Sequence, residues 1–172
     1  RNAGNSLVAR LQQLEYLISL VHAKTGLSSF NIVNNISGAF GVFRRSMLDQ
    51  VGGWSAGTAE DLDITLRIKQ YIRRTGCIIG FEPFTVGRTD APESWVGFCK
   101  QRLRWDGDLG FLYLRKHLLA FSPSLVGWPN FIMLIWNGLF FQIAAPFIIL
   151  IYTGILGFLL PFPQWVALNL FI

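Results

Sequence analysis

The sequence predicts an α/β domain followed by interfacial and transmembrane helices. Three observations predict it. The 15 basic and 10 acidic residues all lie between Arg1 and Lys116, and none lies from His117 to Ile172. The charged part alternates helix-like segments, with caps and amphipathic spacing, with short runs that read as strands. The uncharged part contains an apolar run long enough to cross a bilayer, which takes about 20 residues. The chain is 172 residues, 52% hydrophobic and 15% charged, with a formal net charge of +5. Soluble domains carry roughly 25% charged residues. This composition excludes a disordered chain, a collagen and a disulfide scaffold, and Cys77 and Cys99 call for no bridge. Two regions follow: residues 1–116, and a membrane region 117–172.

Asn5-Ser6 can cap a first helix running to about Lys24. Leu7, Leu11, Leu14, Leu17 or Ile18, and Val21 share one face, and Gln12, Glu15, Ser19 and His22 share the other. Such a helix either packs into a core or lies on a membrane surface. Residues 30–36 read as a weak strand or loop. In Ser37 to Arg45 (SGAFGVFRR), Gly38 and Gly41 permit close approach of another group. Met47 to Val51 is a helical turn that Gly52-Gly53 ends. Thr58-Ala59-Glu60-Asp61 fits a capping box. The helix it opens runs to about Arg74, with acids first and bases last, an order that suits the macrodipole. Gly76 stops it. Residues 77–81 and 85–86 read as strands. Pro92 suits an early helical position, and a long helix is expected from about Ser94 to Leu114, with Gly107 and Gly110 as possible breaks.

Residues 131–160 are free of charge and fit one span, at about 130–158, with Pro146 as its expected kink. Gln164 onward reads as the truncated start of a second span. Trp128 and Trp165 suit the interface, and the basic cluster from Lys100 to Lys116 places that side in the cytoplasm. The chain opens on Arg1 and stops within an apolar run, so it is expected to be an internal piece of a multi-pass protein of the cell or inner membrane. There is no signal-peptide pattern at the start.

Two clusters carry candidate chemistry. Asp61 and Asp63 spell D-x-D, yet two positions on a helix diverge by about 200°, so they cannot share a metal, and no metal ligands are assigned. These acids either cap the helix or supply a general base that reaches a cleft at the helix mouth. Gln101-Arg102-Leu103-Arg104-Trp105 is either a basic face beside the membrane or a diphosphate clamp. Arg pairs with phosphate through two parallel hydrogen bonds, and Trp offers a flat face to a sugar ring.

Together, SGAFGVFRR, VGGW, AEDLDITLRI, TDAPES and QRLRW followed by apolar spans resemble the C-terminal half of a membrane-integrated family 2 glycosyltransferase. The likeness covers about residues 5–165. It points to the processive polysaccharide synthases: poly-N-acetylglucosamine synthases first, then cellulose and hyaluronan synthases. The resemblance implies a partial GT-A domain. It implies that Asp61 is the catalytic base beside Glu60, that Gln101 and Arg104 bind the nucleotide diphosphate with help from Arg102, and that Trp105 lies at the acceptor sugar. It also implies that Ser37, Gly38 and Ala39 line the acceptor pocket, and that the first and Trp95 helices seat the domain on the bilayer.

The implied reaction is inverting transfer from a UDP-sugar to a growing polysaccharide or glycolipid, with possible membrane subunits as partners and no nucleic acid. Mg²⁺ or Mn²⁺ would be bound by residues absent from this piece, which is therefore expected to be inactive alone. Asp106-Gly107-Asp108 departs from the Ala-Gln-Gly of many relatives, which leaves the geometry behind Trp105 open. Two rivals are a non-processive enzyme acting on a lipid acceptor and a non-enzymatic membrane anchor.

Overall fold

A computed structural model describes residues 6–55 and 59–169 of the chain. Among these residues the structure is helical, with no strand. The expected α/β fold, and with it the partial GT-A domain, is therefore corrected. Residues 77–81 have no regular secondary structure, and their backbone pairs with side chains rather than with a neighbouring strand. Asn31 Nδ2 donates to the Cys77 carbonyl at 3.0 Å, the Ile79 amide donates to Asn31 Oδ1 at 2.9 Å, and the Phe81 amide donates to Ser28 Oγ at 2.9 Å. Extended backbone becomes sheet only when another strand accepts its hydrogen bonds. Here Asn31, in the left-handed region at φ 55°, takes that place.

Helix α1 (Leu7–Tyr16) is capped by Ser6, whose Oγ accepts from the Ala9 amide at 3.1 Å. Asn5 and Thr58, two of the predicted caps, lie outside the described residues. Wider π-type turns (Leu17–Ala23) carry α1 into α2 (Lys24–Ser29). The apolar stripe does not pack inward. Leu7, Leu11, Leu14, Leu17 and Ile18 are exposed, and Val8, Ala9 and Gln12 are buried instead.

Helix α3 (Arg45–Val51) ends at Gly52, as read. Helix α4 (Glu60–Thr75) is the centre of the molecule. Ile64, Ile68 and Ile72 pack with Val33, Val51 and Ile79. Leu62 and Leu66 pack on another side with Leu112, Tyr113, Val126 and Leu134. Full burial of each such side chain contributes roughly 1.5–3 kcal/mol. Gly76, in the left-handed region at φ 65°, caps the helix, because only glycine takes that conformation without penalty.

Helix α5 (Trp95–Phe111) is capped by Ser94 and continues as a π-type segment, Leu112–Lys116, without a break at Gly107 or Gly110. Short helices α6 (Pro123–Val126) and α7 (Trp128–Met133) lead into π-type turns Leu134–Ala144 and then α8 (Ala145–Leu159). Trp128–Leu159 forms one continuous 32-residue helix, long and apolar enough to cross a membrane, and none of its most apolar window is buried within the molecule. Pro146 sits where the π-type turns hand over to α8, so the wider turns absorb its missing amide. Tyr113 packs onto this helix at Gly138, where an added Cβ would lie 2.7 Å from its ring. Helix α9 (Phe162–Asn169) folds back, and Trp165 Nε1 donates to the Thr153 carbonyl at 2.9 Å. Among the described residues Trp128–Leu159 is the one helix that meets the length for a span, so a multi-pass topology has no support in the structure.

Candidate active site

The site is built at the first turn of α4. Ala59 enters the helix in the left-handed region at φ 47°, which turns Glu60 and Asp61 toward the segment 35–39. The Asp61 carboxylate accepts three neutral donors. Asn35 Nδ2 and the Gly38 amide each reach Oδ2 at 3.3 Å, and the Leu62 amide reaches Oδ1 at 2.8 Å.

Thr65, one turn on, locks the two segments together. Its hydroxyl donates to the Asp61 carbonyl at 2.6 Å and accepts from the Ile36 amide at 2.9 Å. A Cβ on Gly38 would lie 3.2 Å from Asp61 Cβ and 3.4 Å from Glu60 Oε1. The close approach read from the small-residue turn is thus an approach to the Glu-Asp pair itself. Ser37, Gly38 and Ala39 form the turn, closed by the Phe40 amide on the Ser37 carbonyl at 3.2 Å.

Two further groups complete this region. Lys24, at the start of α2, lies within the field of Asp61. Burial pulls its ammonium below the ordinary lysine range, and the Asp61 charge opposes that pull. Asn35 Oδ1 is buried and has no hydrogen-bond partner among the described residues. An open cleft of about 590 Å³, lined by His22, Phe30, Asn34, Met133 and Asn137 among others, runs between α2 and the long helix. Its lining includes Asn34, the chain neighbour of Asn35.

The structure brings Glu60, Asp61, Ser37, Gly38 and Ala39 together. It places Gln101, Arg102, Arg104 and Trp105 on α5, against α1. Gln12 Nε2 donates to Gln101 Oε1 at 2.6 Å. Arg102 pairs with Glu15, and its guanidinium lies over the rings of Phe98 at 4.8 Å and Trp105 at 4.7 Å. Arg104 and Trp105 are exposed. Among the described residues no hydrogen bond, ion pair or ring contact joins Asp61 to any of these four.

The polar link between α4 and the end of the segment that continues α5 is made by Asp63 instead. Its buried Oδ1 receives Lys116 Nζ at 2.8 Å and His117 Nε2 at 2.7 Å, and its Oδ2 receives Arg67 Nη2 at 2.7 Å. Burial alone would raise the Asp63 pKa. Hydrogen bonds from Lys116, His117 and Arg67 outweigh it and hold the carboxyl at about 2.

Sequence reasoning missed Asn35, Thr65 and Lys24. Thr65 had a signal, since it stands one helical turn from Asp61. Asn35 and Lys24 had none, because their proximity is set by the chain's return path. The two aspartates face different partners, and among the described residues no group of three or more His, Cys, Asp or Glu is gathered to hold a metal ion. The residues present do not fit a divalent cation, and no step below runs through one.

The family described as glycosyl transferase family group 2 matches residues 2–172. A poly-beta-1,6-N-acetyl-D-glucosamine synthase of Staphylococcus aureus is 32% identical over 101 residues, 59% of this chain and 24% of the relative. A probable glycosyltransferase of Bacillus subtilis, YdaM, is 30% identical over 105 residues, 60% of this chain and 24% of the relative. The chain thus covers about a quarter of the length of these curated relatives. No solved structure matches it.

Proposed function

The chain belongs to glycosyl transferase family group 2, and on that premise we propose that the protein carrying it moves a sugar from a UDP-sugar to a growing polysaccharide at a membrane. The observation that carries this reading is the Asp61 carboxylate, held at the mouth of α4 by neutral donors from the facing 35–38 segment. Asp61 takes the proton of the acceptor hydroxyl as that oxygen attacks the anomeric carbon. The bond from that carbon to the diphosphate breaks, and UDP leaves. A single displacement of this kind inverts the anomeric centre.

Asn35 and the Gly38 amide hold the carboxylate so that its position is set before the acceptor arrives. Arg104 is the exposed guanidinium assigned to the diphosphate, which gains charge as it leaves. Trp105 offers its exposed face to the acceptor ring. The cleft beside Asn34 is the acceptor's route, since its amides suit sugar hydroxyls, its Phe30 ring suits a sugar face, and its volume lies in the range of small-molecule sites. The polysaccharide reading is favoured by the name of the Staphylococcus relative.

The exposed apolar stripe of α1 and the exposed Trp95, Leu103 and Phe111 of α5 suit two helices lying in the headgroup region. The span Trp128–Leu159 anchors them, and the basic residues before it favour the cytoplasmic side for this part. Any Mg²⁺ or Mn²⁺ is assigned to residues outside this chain.

The test uses the full-length protein with radiolabelled UDP-sugars. Asp61→Asn is expected to lower transfer about 10²- to 10⁴-fold, the usual worth of a general base, with the melting temperature unchanged. Unchanged transfer rejects Asp61 as the base. Product length decides the acceptor: a ladder of oligomers supports the polymer, and one sugar on a lipid rejects it.

A further inference from the structure

We propose that the buried Asp63 carboxylate, gripped by Arg67, Lys116 and His117, is the joint that sets α4 against the end of α5 and so positions Asp61 relative to the Gln101–Trp105 segment. This rests on the reading of those residues as the base and the diphosphate site. Asp63 and its partners are positioning residues and touch no substrate.

Asp61 and the Arg-Trp pair share no contact among the described residues, so their relative placement passes through the contacts between their helices. Two kinds of contact are present. The apolar one joins Leu62 and Leu66 to Leu112 and Tyr113. Apolar contacts are non-directional and let helices slide or rotate. The polar one is directional. Asp63 is two residues from Asp61, and Lys116 and His117 close the segment that continues α5.

Both carboxylate oxygens are used. Oδ1 receives Lys116 at 2.8 Å and His117 at 2.7 Å. Oδ2 receives Arg67 Nη2 at 2.7 Å, Arg67 Nε at 3.0 Å and the Ser55 hydroxyl at 3.4 Å. Arg67 Nη1 also donates to the Val51 carbonyl at the end of α3. Ser55 accepts from Lys116 as well, at 3.4 Å. One buried group therefore ties α3, α4 and the end of α5 in one geometry.

A buried carboxylate that loses a partner is left under-compensated, so the arrangement has no graded alternatives. The lever arm is long. Trp105 lies eleven residues before Lys116, roughly 16 Å along a helix. A tilt of about 5° at the joint therefore moves Trp105 by more than about 1 Å, enough to cost around two orders of magnitude in rate.

The test uses the full-length protein in lipid nanodiscs, with other reactive cysteines, Cys77 included, replaced by Ser. Spin labels are placed on the exposed Cys99 of α5 and on Arg74→Cys at the exposed end of α4, and pulsed dipolar spectroscopy reads their separation. The parent is expected to give one narrow distribution. His117→Gln and Lys116→Met are expected to broaden or shift it, and to lower kcat about tenfold or more while changing KM for the UDP-sugar less. Lys116→Arg is expected to restore both readouts.

An unchanged distribution in His117→Gln, Lys116→Met and Asp63→Asn overturns the joint, whatever the activity does. A changed distribution with unchanged kcat overturns its positioning role. Asp61→Asn in the same background separates the two ideas. Full activity there removes the base assignment, while the distance measurement still decides the joint. If Asp63→Asn fails to fold, the two partner variants carry the test.

Discussion

The two sides of the first turn of α4 hold chemically identical side chains in opposite settings. Asp61 is half-buried and accepts only neutral donors, two of them backbone amides. Asp63, two residues on, is fully buried and is surrounded by Arg67, Lys116 and His117. A carboxylate among cations is held ionised and has no freedom to accept a proton. One bonded only to neutral donors, and half-open, leaves room for a substrate to approach. The difference teaches that a D-x-D spacing on a helix separates duties rather than pooling them, because its two side chains point about 200° apart.

The largest expected effect that could break this contrast is on stability. Asp63→Asn leaves the Arg67 and Lys116 cations, with His117 beside them, around a neutral amide, and should destabilise the folded protein by about 3 kcal/mol or more. Asp61→Asn, which removes no buried ion pair, should stay within about 1 kcal/mol of the parent. Denaturant titration in detergent followed by Trp fluorescence compares them, and equal losses would erase the distinction.

Helix α4 also buries Lys69, whose ammonium has no partner among the described residues. Burial pulls its pKa down to about 7. Its unfolded value is near 10.4. Between these values the unfolded chain binds the extra proton, so stability rises with pH across that window. Lys69→Met should raise the melting temperature most at pH 7 and below, and the gain should shrink toward pH 10. A gain that is constant with pH would mean the amine is solvated.

The acid limb is expected to be smaller and of opposite origin. The Asp63 pKa falls from 3.8 to about 2 on folding. That depression contributes about 2 kcal/mol of stability above pH 4, lost as pH falls through 2. Asp63→Asn should abolish this acid-labile part, which melting curves between pH 6 and 2 would register.

The smallest effect sharpens the Asp61 side. Gly38→Ala puts a Cβ 3.2 Å from Asp61 Cβ, so the turn or the carboxylate shifts by a few tenths of an ångström. A fall in transfer of about two- to tenfold is expected, with stability changed by less than about 1 kcal/mol. An unchanged rate would show that the 37–39 turn does not hold the carboxylate.

Much of α4 was legible in advance. Its acids in the first turn, bases in the last and Gly76 beyond them are local signals, and the observed helix ends within a residue or two of them. The long apolar helix was legible from the absence of charge, a property of composition alone. The short helix before Gly52 was also read correctly. The strands at 77–81 and 85–86 were not. Their residues favour extended backbone, but pairing depends on what lies beside it, and Asn31 and Ser28 lie beside the first.

The first helix was half legible. Its amphipathic spacing is real, yet the face that packs inward is the one holding Gln12, which meets Gln101 across 89 residues of sequence. At the candidate site, the approach of Gly38 to another group was foreseen. That the group would be the Glu60-Asp61 pair was given by the resemblance, not by spacing.

By itself, the sequence determined what depends on neighbours along the chain: the Ser6 cap, the stops at Gly52 and Gly76, the charge-free span, and the divergence of Asp61 from Asp63. These follow from backbone sterics and a fixed rotation per residue. Only the tertiary structure decided which of the two carboxylates meets cations, which face of α1 is covered, and that α4 and α5 join through Asp63 rather than Asp61. Those outcomes depend on groups tens of residues apart competing for the same buried volume, where desolvation must be matched by specific partners.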